Sequence, residues 1–103
     1  MRAGVLLAAM LGCAVCAPAQ AETIAVAINN VAYAPTEISA RVGDTIVWTN
    51  NDIVAHTATA RDKSWDYNIL PKKTTSMTVN KAGTIEYFCR YHPNMVGHIA
   101  VKE

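Results

Sequence analysis

Cys89, His92 and Met95 recur at intervals of three in the run Tyr87-Phe88-Cys89-Arg90-Tyr91-His92-Pro93-Asn94-Met95, and a further histidine, His56, stands upstream. A thiolate, two imidazoles and a thioether form the donor set of a trigonal copper site with a weak axial methionine. Such a site lies between the preferences of Cu(I), which suits soft sulfur, and Cu(II), which suits nitrogen. Zinc also takes cysteine and histidine, but thioether is a poor zinc ligand and structural zinc sites favour several thiolates. Pro93 fixes its own φ and pushes His92 toward extended backbone, which stiffens the loop between the second and third donors.

These donors need elements that bring them together. Thr23 to Ile28 alternates, with Ile24, Val26 and Ile28 on one face. Tyr33-Ala34-Pro35 reads as irregular. Glu37 to Val42 and Thr45 to Thr49 read as strands, stopped by Gly43-Asp44 and Asn50-Asn51-Asp52. Residues 56 to 60 form a short strand, and 61 to 70 show no clear period. Strands follow at 74 to 79, at 84 to 89 and at 98 to 102. Short strands with turn signals every eight to twelve residues predict an all-β sandwich or barrel. In a sandwich, loops from different hairpins gather at one end, so His56 can meet the loop that starts at Cys89.

The N-terminus is different in kind. Met1-Arg2, an apolar stretch from Gly4 to Ala17 and Ala19-Gln20-Ala21 have the layout of a secretory leader cut after Ala21. The apolar stretch is shorter than the roughly 20 residues a membrane span needs. Residues 1–21 are therefore expected to be a removed signal peptide and 22–103 one domain. Leu11-Gly12-Cys13 faintly resembles a lipoprotein site, but the Ala-Gln-Ala site fits better. Of three cysteines, Cys13 and Cys16 leave with the leader and Cys89 remains alone. A lone thiol in an oxidising compartment is a liability unless something such as a metal occupies it. Residues 22–103 balance eight basic against eight acidic side chains. That leaves no basic footprint for nucleic acid and no amphipathic basic helix for a membrane surface.

Cys-x-x-His-Pro-x-Met, preceded by Ala82-Gly83-Thr84 and an aromatic strand, resembles the cupredoxins, the blue type 1 copper proteins, and most closely their amicyanin-like group. Val42-Gly43-Asp44-Thr45-Ile46-Val47-Trp48-Thr49-Asn50 followed by His56 extends the resemblance over residues 22–103. The resemblance implies a Greek-key β-sandwich of about eight strands with one copper ion, Cu(I)/Cu(II), on His56, Cys89, His92 and Met95. It implies a periplasmic, monomeric carrier of single electrons and not an enzyme. Its partners would be transient redox proteins, with a dehydrogenase or reductase as donor and a c-type cytochrome as acceptor. Two positions depart from the pattern. Tyr91 replaces a proline common before the second histidine. Thr57 replaces an asparagine that ties the ligand loops together, and its hydroxyl can do part of that work.

The same residues admit other chemistries. Copper storage or delivery could use the same four donors, although delivery favours open Met- or His-rich clusters. A nucleophilic Cys89 would need an oxyanion site and an orienting third group, for which there is no sign. A non-metal binding sandwich would leave the donor set unexplained. His98 is expected to be a surface or edge-strand residue, Met77 and Trp48 core, and Trp65 a plug at one end. The resemblance to the cupredoxins implies an apolar surface patch around His92, to which Pro93, Met95 and Val96 would contribute, with Tyr91 beside it.

Overall fold

The period-two pattern is clearest in Thr45–Asn50, where Ile46, Trp48 and Asn50 are fully buried and the β-branched residues between them are half-exposed. The computed structural model describes residues 20–103. Residues 1–19 of the expected leader, with Cys13 and Cys16, lie outside it. Nine strands form in chain order: β1 (Thr23–Ile28), β2 (Tyr33–Ala34), β3 (Glu37–Arg41), β4 (Thr45–Asn50), β5 (His56–Ala60), β6 (Asp66–Ile69), β7 (Thr74–Thr78), β8 (Gly83–Phe88) and β9 (Val96–Lys102). They build a four-stranded sheet, β2-β1-β4-β7, against a five-stranded sheet, β3-β9-β8-β5-β6. β1 runs parallel to β4 and β3 parallel to β9, and the remaining pairs are antiparallel. This is the all-β sandwich expected. Among the described residues no helix is long and apolar enough to cross a membrane.

Two of the nine strands, the two-residue β2 and the four-residue β6, lie where the sequence shows no strand pattern. β6 lies inside the segment read as aperiodic. Only Tyr67 and Ile69 of its four residues face inward, and Asp66 and Asn68 between them hide so short an alternation. Cys89 falls one residue beyond β8 and not within it.

Trp48 donates from Nε1 to the Tyr87 hydroxyl at 3.1 Å, and the two rings meet edge to face at 5.5 Å. Tyr33 packs on Tyr87 at 4.5 Å between centroids. Half-buried Trp65 closes this cluster, 5.7 Å from Trp48 and 5.8 Å from Tyr87. Burial pushes the Tyr87 hydroxyl up to about 12 and raises that of Tyr33 further, so both stay neutral in the core. Tyr87 faces Gly97 across the β8–β9 ladder. A Cβ at Gly97 would lie 2.6 Å from the Tyr87 ring, so the aromatic core requires glycine there.

The turns after β1, β4, β6 and β8 collect at one end. Asn51 N–H donates to Ile28 C=O at 2.9 Å, Asn50 N–H to Lys73 C=O at 2.9 Å, and Lys72 N–H to Asn50 C=O at 2.8 Å. On the outer face of the other sheet, His98 is not on an edge, because β9 lies between β3 and β8. Glu37 and Glu86 are its direct cross-strand neighbours. His98 Nδ1 contacts Glu37 Oε2 at 3.0 Å and Nε2 contacts Glu86 Oε1 at 3.2 Å. Glu86 first and Glu37 second raise the imidazole above its ordinary value. Only the protonated ring can donate to both carboxylates.

Gly97→Ala is expected to lose about 1–3 kcal/mol of stability through overpacking, measured by denaturant titration. The His98 contribution has the sign of a raised base. It is complete below the ordinary histidine value of about 6.5 and fades as pH rises through the raised folded value. His98→Gln should remove that slope from stability measured across neutral pH, and an unchanged slope would refute the assignment.

Candidate metal centre

β5 reads His-Thr-Ala-Thr-Ala and is buried at all five positions. Two threonines and a histidine in such a place must find partners, since unpaired buried polar groups are costly. Thr57 meets this demand in several directions. Its N–H donates to Cys89 Sγ at 3.3 Å. Its C=O accepts from the Tyr33 hydroxyl. Its Oγ1 accepts from the Arg90 N–H at 2.8 Å. The hydroxyl thus ties the His56 strand to the Cys89 loop.

The loop after β8 closes on itself. Cys89 N–H donates to Met95 C=O at 3.1 Å, and Met95 N–H to His92 C=O at 2.8 Å. The closure turns Cys89 and His92 toward His56. Cys89 Sγ lies 3.8 Å from His56 Nδ1 and 3.7 Å from His92 Nδ1, and the three donor atoms lie within 4.8 Å of one another. A metal about 2.0–2.3 Å from nitrogen and sulfur donors, at trigonal angles, needs those donors about 3.8 Å apart. The spacing therefore fits one ion. Met95 is buried in the same cluster as Cys89, on the loop that supplies two of the three donors. Cys89 and His56 are fully buried, and His92 is half-exposed.

The remote nitrogen of His56 is held as well. Nε2 lies 2.8 Å from Asp52 Oδ2, and the Asp52 carboxylate also accepts from the Asn30 and Val31 amides at 2.8 and 2.9 Å. A proton on Nε2 leaves the Nδ1 lone pair facing Cys89. Such an outer carboxylate fixes both the tautomer and the orientation of a ligating imidazole. The Val31 amide first, then those of Asn30 and the His56 ring, hold the Asp52 carboxyl below the usual range. Fully buried Asn50 shapes the loop that delivers Asp52. Its Nδ2 donates to Val54 C=O and Ile69 C=O, and its Oδ1 accepts from the Asp52 amide at 2.9 Å. In the sequence Asn50-Asn51-Asp52 reads only as a strand breaker, so these supporting roles are not visible there.

The structure brings His56, Cys89, His92 and Met95 to one end of the sandwich and leaves His98 apart from it. The apolar rim meets expectation in part: Pro93 and Tyr91 are exposed and Val96 is half-exposed. Met95 is buried and contributes no surface. With Tyr91, the side chains of Val31, Ile53, Val54 and Leu70 on the turns of this end account for five of the six exposed large apolar side chains among the described residues, and Ile53 is 83% exposed.

Residues 3–101 match the family model described as a cupredoxin-like domain. The chain is 26% identical over 88 residues to the amicyanin of Paracoccus versutus, covering 80% of this chain and 67% of that protein. It is 29% identical over 85 residues to the amicyanin of Paracoccus denitrificans, covering 77% and 65%. The chain thus spans about two thirds of the length of these relatives. Among solved structures, a methionine-to-alanine variant of amicyanin in its Cu(I) form superposes with a TM-score of 0.72 at 28% identity, covering 86% of this chain and 89% of that one. A proline-to-alanine variant of amicyanin in the oxidised state gives a TM-score of 0.73 at 28% identity, covering 78% and 82%.

Asp52→Ala leaves the buried His56 ring nitrogen without its acceptor and gives the two exposed amides of Asn30 and Val31 over to water. It is expected to destabilise the metal-free protein by about 1–3 kcal/mol in denaturant titrations. Because the folded carboxyl is depressed, this difference is full above the ordinary value near 3.9 and shrinks as pH falls through the folded one. A gap between wild type and variant that persists unchanged into strong acid would contradict this.

Proposed function

The chain belongs to the cupredoxin-like family, and on that premise we propose that it is a periplasmic type 1 copper protein that carries one electron at a time. His56, Cys89 and His92 are proposed as the strong ligands and Met95 as the weak axial one. The observation that carries this reading is the convergence of two imidazole Nδ1 atoms on one buried thiol at trigonal spacing. Copper bound there would supply one-electron chemistry by alternating between Cu(I) and Cu(II).

The chain's own residues supply the rest. Thr57 donates an amide to the Cys89 sulfur, which holds that sulfur beside the His56 strand. Asp52 orients His56. Burial of His56 and Cys89 keeps water from the inner donors, and half-exposed His92 offers the one short route to a partner. The apolar rim of Ile53, Val54, Leu70, Val31 and Tyr91 suits a small, transient interface. A dehydrogenase or reductase is proposed as donor and a c-type cytochrome as acceptor. The leader of residues 1–21 would direct export and leave 22–103 as the working domain, a monomer. A storage or delivery role calls for exchangeable, open donors, and the burial of two donors here argues against it.

Adding Cu(II) to residues 22–103 should produce an intense visible thiolate-to-copper charge-transfer band, and Cys89→Ser should abolish it. A colourless wild-type product would sink the proposal.

A further inference from the structure

We propose that Asp66 and Asn68 of β6 are positioning residues that hold the outer half of the ligand loop through Arg90 and Tyr91. The backbone bonds of Cys89, His92 and Met95 all close within the loop itself, so they do not attach it to the sheet. Pro93 stiffens only the segment after His92. The two residues between Cys89 and His92 reach the scaffold by other means. Arg90 Nε donates to Asp66 Oδ1 at 3.1 Å, and the Tyr91 hydroxyl donates to Asn68 Oδ1 at 2.9 Å. Asp66 and Asn68 are two apart on one strand and so present the same outward face.

The Arg90 contact is one side of a closed ring. Thr59 Oγ1 donates to Asp66 Oδ1 at 2.7 Å, which commits its only proton. The bond between Thr57 Oγ1 and Thr59 Oγ1, at 2.9 Å, must then be donated by Thr57. Thr57 in turn accepts from the Arg90 amide. The ring runs from the Arg90 N–H through Thr57 and Thr59 to Asp66 Oδ1, and back through Arg90's own guanidinium. Every donor points toward the carboxylate, whose pKa is lowered first by Thr59 and then by Arg90. An exposed ion pair alone contributes little. Here its inner limb, Thr57 and Thr59, is buried and cannot exchange its partners for water. Asp66 and Asn68 stand opposite Thr59 and Thr57 in the β5–β6 register. Thr57 on β5 thus holds the main chain of the residue that follows Cys89, and the edge strand β6 holds its side chain and the hydroxyl of the residue that precedes His92.

The test compares Asp66→Ala/Asn68→Ala with wild type and with Asp66→Asn, which keeps an acceptor oxygen. In the metal-free protein, hydrogen exchange at the Arg90 amide is expected to quicken about tenfold relative to the core amide of Ile99, with Asp66→Asn close to wild type. In the copper-loaded protein the charge-transfer band should shift in the double variant and return in Asp66→Asn. This second measurement rests on the copper reading and the first does not. A wild type that takes up no copper counts against that reading and leaves exchange to decide. Equal acceleration at Arg90 and Ile99, no acceleration, or a loaded double variant with an unmoved band would overturn the proposal.

Discussion

Thr57 is the residue on which the site depends. One buried position on β5 directs an amide to the thiol of Cys89, a carbonyl to Tyr33 and a hydroxyl to both Arg90 and Thr59. Two of these bonds join β5 to the ligand loop, one joins it to β2, and the fourth leads through Thr59 to the edge strand β6. Removing any one of these partners would leave a buried polar group unpaired, so they stand or fall together. His56 immediately precedes Thr57 on the same strand. The geometry of the first imidazole is therefore linked to that of the sulfur before any metal arrives.

The aromatic core makes this arrangement stiff. Tyr87 lies two residues before Cys89, is held by the Trp48 indole N–H, and packs against the bare backbone of Gly97. Tyr33 packs on Tyr87 and donates its hydroxyl to Thr57. The core that stabilises the sandwich and the frame of the site are one set of rings. At the mouth the balance reverses. Two donors are sealed, one imidazole is half-exposed, and apolar side chains cluster on the four surrounding turns. A buried centre with one accessible edge suits transfer of an electron better than transfer of an atom, because only the electron can cross a closed first shell.

The amino-acid sequence by itself determined the chemistry. Donor types and intervals of three in Cys89, His92 and Met95 are local properties, and strand periodicity with its turn signals placed His56 at a loop end and specified an all-β sandwich. Tertiary structure alone decided what supports those donors. Asp52, Asn50, Thr59, Asp66 and Asn68 are ordinary polar residues of turns and short strands when read in line. Their roles arise from partners that lie far along the chain, such as Asn30 and Val31 for Asp52 and Arg90 for Asp66. β6 itself was hidden because only two of its four residues face inward, yet it supplies the acceptors for the ligand loop. The apolar rim was legible only in part, at Tyr91, Pro93 and Val96, since whether Met95 or Ile53 reaches the surface depends on how four turns pack at one end. Donor identity is written locally, whereas burial and hydrogen-bond pairing are properties of the folded contacts.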